Sequence, residues 1–347
     1  MPFAKLLLAL IFGMASCGLA EAAEIWGSLV DGCAASLQGE IAPGDADRFM
    51  KLLEDLGWTQ GGHPAEYGES TGDRLLCLDS TGGSMEEGRK IARLVYDTGV
   101  GTRITANARC LSTCGLIFMA GRLDGDEMGG PNRRMDRLAS LAFQIPRPNL
   151  DANRRLTPTE LADQLHASDL FVADMLTYAL QSSLFTSTPM IHASLISSML
   201  TAGPTEMVPV DTIEKAARWG VEIDGLKGDW DPTPLELIQA CYNYQSWMAD
   251  QPSSALKPDS PMSADDLKPA GFANGDDEKA FRYLDTGGYA ERGCYIAVRK
   301  EAWTYLEICD RNGFNGVNHG DCPTYGAIVP AYYGLSPNTG IAHLPAP

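Results

Sequence analysis

Leu78-Asp79-Ser80-Thr81-Gly82-Gly83-Ser84 is the stretch on which the reading of this chain turns. Ahead of it, Arg74 to Leu78 is apolar at Leu75, Leu76, Cys77 and Leu78, the composition of a buried strand. Gly82 and Gly83 break that strand sharply, and paired glycines allow a tight turn that leaves backbone N–H groups open. Such a turn can stabilise an oxyanion, although many strand-to-helix turns need glycine for steric reasons alone. Glu86 to Tyr96 follows as a helix with Ile91, Leu94 and Val95 on its apolar face. Thr102 to Ala106 is the next strand, Ser112 to Ala120 reads as a buried helix, and Leu138 to Phe143 is another strand. Strands and helices alternating in this order argue for parallel crossovers in an α/β fold.

A second segment, Arg109-Cys110-Leu111-Ser112-Thr113-Cys114-Gly115, opens the buried helix. Serine is well suited to cap the free N–H groups there, and from the residues alone the cap is the plainer reading of Ser112. The other reading is a nucleophile helped by the helix N-terminus. Cys110 and Cys114 flank Ser112. In a regular helix, side chains four residues apart sit slightly too far apart for a disulfide, but a strand-to-helix junction can bring them together. Cys33 and Cys77 are then expected to pair across the first strands, with reduced buried thiols as the alternative.

In this order and spacing the two segments resemble the proteolytic subunit of Clp protease and its relatives in the wider crotonase-like fold. The resemblance covers about Cys33 to Asp224 and is clearest from Leu75 to Gly121; Leu37-Gln38-Gly39-Glu40-Ile41 is similar to the family's first strand and turn. It implies a spiral of parallel strands and helices. It puts the family's nucleophile on Ser112 and its oxyanion groups on the backbone N–H of Gly83 (or Gly82) and of Thr113. The family's histidine base falls in Leu141-Ala142-Phe143-Gln144-Ile145-Pro146, where Gln144 stands in its place. Glutamine has no proton affinity near neutral pH and cannot act as a general base. Strict matching puts Ile223 at the acid's position and Asp224 one residue later, so Asp224 is the candidate acid. Among substitutes for the base, Lys90 and Lys215 read as solvated amines and His166 as a helix-surface residue. His192, on a helix expected to pack near the cleft, is the most plausible stray base.

The chain opens like an export signal. Lys5 precedes the apolar run Leu6 to Met14, and Ala20-Glu21-Ala22 fits a small-x-small cleavage site. That run is too short to span a bilayer. Met14-Ala15-Ser16-Cys17 lacks the leucine-like residue usual before a lipidated cysteine, which disfavours a lipoprotein. Cleavage after Ala22 leaves about 325 residues, enough for one large domain and a smaller one. The net charge of −18, from 27 Lys and Arg against 45 Asp and Glu, repels nucleic acid and anionic lipid. Of nine cysteines, eight lie beyond Ala22, and an even number in an exported chain suggests disulfides. The histidines, His63, His166, His192, His319 and His343, are scattered, so no metal site and no cofactor is expected.

Further along, Asp45 to Leu56 has helical spacing, and Gly121 to Arg137, rich in charge and glycine, reads as an exposed excursion. Pro158 to Leu184 is a long helix with Leu161, Leu165, Val172 and Leu176 as its apolar row. Met190 to Leu200, Asp211 to Trp219 and Pro234 to Met248 are further helices, the last in a helical extension over residues 225–250. Gln251 to Asp277 reads as a linker. Residues 278–347, with strands at Tyr295 to Val298 and Trp303 to Ile308, form a small cysteine-containing β-rich module.

The expectation for function is a periplasmic or extracellular protein of Clp-protease-like fold that has lost hydrolysis. It would bind an unidentified peptide or protein, or serve the cell envelope, with a homo-oligomer left open. The alternative is a serine peptidase using Ser112 with an unusual or displaced base, its own or a partner subunit's.

Overall fold

The computed structural model describes residues 22–58, 74–123, 130–145, 156–180, 189–203, 205–226, 230–255, 262–269, 279–285, 292–300, 304–310 and 327–345. The export signal and Cys17 therefore lie outside the described residues.

The first half is an α/β layer. A hairpin of β1 (Glu24–Val30) and β2 (Cys33–Gln38) leads through α1 (Asp45–Asp55) to β3 (Leu75–Asp79), α2 (Met85–Asp97) and β4 (Gly101–Ile104). Next come β5 (Arg109–Leu111), α3 (Thr113–Met119), the short pair β6 (Arg122–Leu123) and β7 (Gly130–Pro131), then β8 (Arg133–Asp136) and β9 (Ser140–Phe143). The long helix α4 (Pro158–Leu180) is followed by α5 (Ala193–Thr201), β10 (Val208–Pro209), α6 (Ile213–Arg218), β11 (Glu222–Asp224) and α7 (Pro234–Met248). The main sheet runs β1-β2-β3-β4-β8-β11, parallel except for the antiparallel β1. A smaller sheet, β10-β9-β5, meets it where Ser80 bridges Cys110. The architecture is thus α/β, with a central mixed sheet and helices around it.

Local chemistry explains the elements that carry the site. β3 is apolar on both faces because the sheet is covered on both sides. The Ser84 hydroxyl caps α2 by accepting the Glu87 N–H. Glu87 in turn reaches across to α1 and accepts the N–H groups of Gly44 and Ala46 at 3.1 and 3.0 Å. Burial alone would raise the Glu87 pKa; those N–H groups and Lys90 outweigh it and hold the carboxyl below its usual range. α3 is buried along its whole length, which fits its uninterrupted apolar sequence.

Several expectations need correction. Gly121 to Arg137 is not an excursion, because it contains β8, an interior strand of the main sheet. Its Arg133 is fully buried and donates from Nη1 to the Met190 carbonyl at 2.8 Å. The apolar row of α4 is turned from the one expected. Phe171, Met175 and Tyr178 face the core, while Leu165 and Leu176 are exposed. Arg89 of α2 pairs with Asp174 on that inner side, Nη2 to Oδ1 at 3.2 Å.

The stretch 251–277 is not wholly a linker. Ser253 accepts the Trp247 indole N–H at 2.8 Å, and β12 (Leu267–Pro269) is the edge of a second sheet. That sheet, antiparallel throughout, continues with β13 (Lys279–Asp285), β14 (Arg292–Lys300), β15 (Thr304–Asp310) and β16 (Ala327–Pro330). It is held against α7 rather than hung from a tether. Cys241 of α7 is disulfide-bonded to Cys294 of β14, and Asn243 donates to the Tyr333 and Leu335 carbonyls. The chain end then returns to α6, with Ile213 N–H on the Thr339 carbonyl and Ile341 N–H on that of Asp211. One continuous apolar core results.

Two further pairings within the described residues are Cys33–Cys77 and Cys110–Cys114, as expected from the sequence. The Cys241–Cys294 bond closes the loop between residues 53 apart. Its removal in Cys241→Ala/Cys294→Ala should lower stability by roughly 2–4 kcal/mol in denaturant unfolding. A loss below half a kcal/mol would mean that α7 holds the sheet without it.

Candidate active site

Gly82, Gly83, Ser112 and Thr113 come together. A Cβ at Gly82 would lie 3.1 Å from the Ser112 Cβ and 3.2 Å from the Thr113 nitrogen. The turn is fixed from the other side by Ile41, which donates its N–H to the Gly82 carbonyl at 2.8 Å and accepts from Ser84 at 2.7 Å. Gly82 N–H is occupied by the Ser80 hydroxyl at 3.1 Å. Of the two glycines it is therefore Gly83 whose N–H remains to serve a ligand oxygen. Its carbonyl accepts the Thr113 hydroxyl at 3.3 Å, which keeps the Gly83 and Thr113 backbones side by side.

Ser112 itself is not the ordinary cap that the residues alone suggest. Its backbone sits at φ 55 and ψ −119, and its side chain makes no capping bond. Positive φ in a residue with a Cβ is costly and concentrates at functional turns. A serine with positive φ between a strand and a helix is also the arrangement of the nucleophile elbow in α/β-hydrolases. The sequence carried no signal for this conformation.

The remaining residues divide. Ser112 N–H bonds the Ala142 carbonyl at 3.1 Å, so the end of β9, and with it Gln144, runs beside the serine. Asp224 lies at the end of β11, on the far edge of the main sheet, three strands from β3. There it pairs with Arg103 at 2.9 Å. Lys90 is bound to Glu86 and Glu87, and Lys215 to Asp211. His192 packs beside Arg133, whose Nη1 reaches the Met119 carbonyl at the C-terminal end of α3, about 10 Å along that helix from Ser112.

His192 belongs instead to a second constellation that the sequence did not reveal, because its members are 56 residues apart. Asp250, just beyond α7, accepts the Ser194 N–H at 2.8 Å and the Ser194 hydroxyl, while His192 Nδ1 lies 3.8 Å from the same carboxylate. Arg218 pairs with Asp250 at 3.5 Å, and the Trp219 indole donates to the Ser194 hydroxyl at 3.0 Å. A cavity of about 720 Å³ opens beside this group, walled by Leu176, Ile191, Ile196, Leu200 and Met248. The residue types are those of a triad, but the order differs. The carboxylate, not the imidazole, holds the hydroxyl. Among the described residues no cluster of three or more His, Cys, Asp or Glu is arranged to bind a metal. No helix there is long and apolar enough to cross a membrane.

Comparison with known proteins adds little. No protein-family model and no curated protein matches the chain. Among solved structures, a mutant ClpP1 of Listeria monocytogenes is similar over 54% of this chain and 88% of its own, at 15% identity and a TM-score of 0.35. Function must therefore be argued from the site itself.

Burial pushes the His192 pKa down to about 4, against the pull of Asp250 and with the help of Arg133 and Arg218. The folded protein thus resists a proton that the unfolded chain takes up near pH 6.5. Stability contributed by neutral His192 is whole above that value and is lost as pH falls toward 4. The loss should be about 3 kcal/mol between pH 7 and 4. Urea unfolding of wild type and His192→Gln across this range checks it, and the variant's pH dependence should be shallower by that amount. Parallel curves would contradict the depressed pKa.

Proposed function

We propose that the chain is a serine-type hydrolase acting on an acyl carbonyl, with Ser112 as nucleophile and with its base displaced from the position the Clp family uses. The observation behind this reading is the Ser112 backbone. A left-handed φ at a non-glycine residue has a cost, and here no capping bond offsets it. On this reading the conformation serves to hold the hydroxyl toward the N–H groups of Gly83 and Thr113, a placement supported by the contact of Gly82 with the Ser112 Cβ and the Thr113 nitrogen. Attack of that hydroxyl on a carbonyl carbon would put the developing oxyanion between those donors, and such donors can each be worth about 100-fold or more in rate. The serine proton must leave as the C–O bond forms, and Gln144 cannot take it. The acceptor is then a group carried in from outside this turn, by another segment, by a second chain or by the substrate.

A second reading has its own observation, the meeting of Ser194, His192 and Asp250 beside an apolar cavity. It makes Ser194 the nucleophile, after a rotation that moves its hydroxyl from the carboxylate to the imidazole.

Labelling with a fluorophosphonate probe separates the readings. Wild type should react slowly, Ser112→Ala should not react, and Ser194→Ala should react like wild type. Gln144→His should speed labelling by about 100-fold, the lower range for general base catalysis. Loss of labelling in Ser194→Ala alone would move the nucleophile there. No labelling of wild type would return the protein to a non-hydrolytic binding role.

The same reading takes the mature protein to be exported. Disulfide bonds on both α7 and the Ser112 turn suit an oxidising compartment. Sequencing the N-terminus of protein from its native cell should give a start between Glu21 and Glu24, and an intact Met1 would overturn export.

A further inference from the structure

We propose that the Cys110–Cys114 disulfide is a positioning clamp that holds Ser112 in its left-handed conformation. The inference rests on the reading of Ser112 as nucleophile, and it assigns to these two cysteines a part in that chemistry beyond stability.

Other helices of the same chain start with an ordinary hydroxyl cap. Ser84, Thr212 and Thr233 stand just before α2, α6 and α7, with φ of −56, −124 and −70. Each accepts a backbone N–H of its helix into its hydroxyl. That is the conformation a serine or threonine takes at a helix start when nothing prevents it. Ser112 occupies the same kind of place and has neither the φ nor the bond. Only this one of the four lies inside a disulfide ring.

The ring is small. Cys110 belongs to β5 and Cys114 to the first turn of α3, with their Cα atoms 5.1 Å apart. Between them the backbone must leave a strand, turn and enter a helix within three residues, Leu111, Ser112 and Thr113. The outer end is pinned as well. Cys110 bridges Ser80 of the main sheet, and β5 pairs with β9. Gly82 lies against the Leu111 carbonyl and the Ser112 Cβ, which fixes where the turn sits. Those contacts set the position of Ser112 without setting its φ. Without the covalent tie, Ser112 can swing to negative φ, become a hydroxyl cap like Ser84, and withdraw its oxygen from the Gly83 and Thr113 N–H groups. Both cysteines are fully buried. A reductant has no direct approach to the sulfurs, so the bond acts as a permanent clamp rather than a redox switch.

The test is Cys110→Ala/Cys114→Ala, with the crystal structure, circular dichroism and fluorophosphonate labelling compared with wild type. The variant should keep its fold, Ser112 φ should become negative, and labelling should slow about tenfold or more as the strained conformer becomes a minor one. Ser112 φ still near +55 in a folded variant without the bond would overturn the clamp, whatever the labelling rate. If the double variant does not fold, adding Ser112→Gly decides the matter. Glycine takes positive φ freely, so the triple variant should fold, and its failure to do so would reject the clamp. An unlabelled wild type would sink the hydrolase reading while the φ measurement still decides this one.

Discussion

A Cβ atom at Gly83 would lie 2.2 Å from the Ile41 carbonyl oxygen and 2.7 Å from the Ile41 nitrogen. That want of room lets two distant backbone segments lie against each other. Ile41 clasps the turn through Gly82 and Ser84, so the groups of Gly83 between them face the other way, toward Thr113. Gly83 is also at φ 139, which a side chain would strain. α2 follows directly from this turn and packs on α3, with Thr113 filling the space over Gly88. One glycine contact thus fixes the start of α2, the seat of α3 and the orientation of the donors beside Ser112.

The strain at Ser112 is small beside what surrounds it. A residue in so sparsely populated a backbone region costs about 1–3 kcal/mol. Leu116, Ile117, Phe118 and Met119 on the next turns are all fully buried. Each such side chain contributes about 1.5–3 kcal/mol. The core therefore sets where α3 lies and outweighs the cost of the turn that precedes it. The same core tolerates Arg133. Burial pushes its pKa down to about 9, but Nη1 finds the carbonyls of Met119 and Met190. Because the Met119 carbonyl is at the end of α3, the cation also sits where the helix dipole favours it.

What could be read from the sequence follows from how local its causes are. β3, α2, α3 and α7 were legible because apolar runs, caps and glycines mark them within a few residues. The start of α7 at Pro234 comes from the Thr233–Glu236 capping box and from the proline at the first helical position. β8 was not legible, since Arg133-Arg134-Met135-Asp136 has the composition of surface, and only the carbonyls of Met119 and Met190 make burial of Arg133 tolerable. The inner face of α4 was misjudged because apolar residues lie on more than one side of it, and tertiary packing chose Phe171, Met175 and Tyr178. At the site, the residue types of the two turns were legible, while the φ of Ser112 was not. A single backbone angle leaves no mark on composition.

Serine chemistry needs two things at once, a place for the oxyanion and an acceptor for the proton. This chain separates them. On the proposed reading Ser112 would have the Gly83 and Thr113 N–H groups as donors, and Gln144, just beyond the neighbouring β9, has no basicity. Ser194 has an imidazole and a carboxylate within reach, but Asp250 holds both its hydroxyl and its N–H, as a cap at a helix start does. That hydrogen-bond order favours a structural role for Asp250, since a carboxylate between hydroxyl and imidazole stabilises the resting serine more than it prepares an attack. Strain points the other way. At Ser112 the positive φ falls on the serine itself, which makes no capping bond, whereas in the other network it falls on Asp250, at 53°, and Ser194 is held by that carboxylate. A serine that is itself strained at rest and uncapped is the better place to look for a nucleophile, and this is the reason to prefer Ser112 even though its proton acceptor must come from elsewhere.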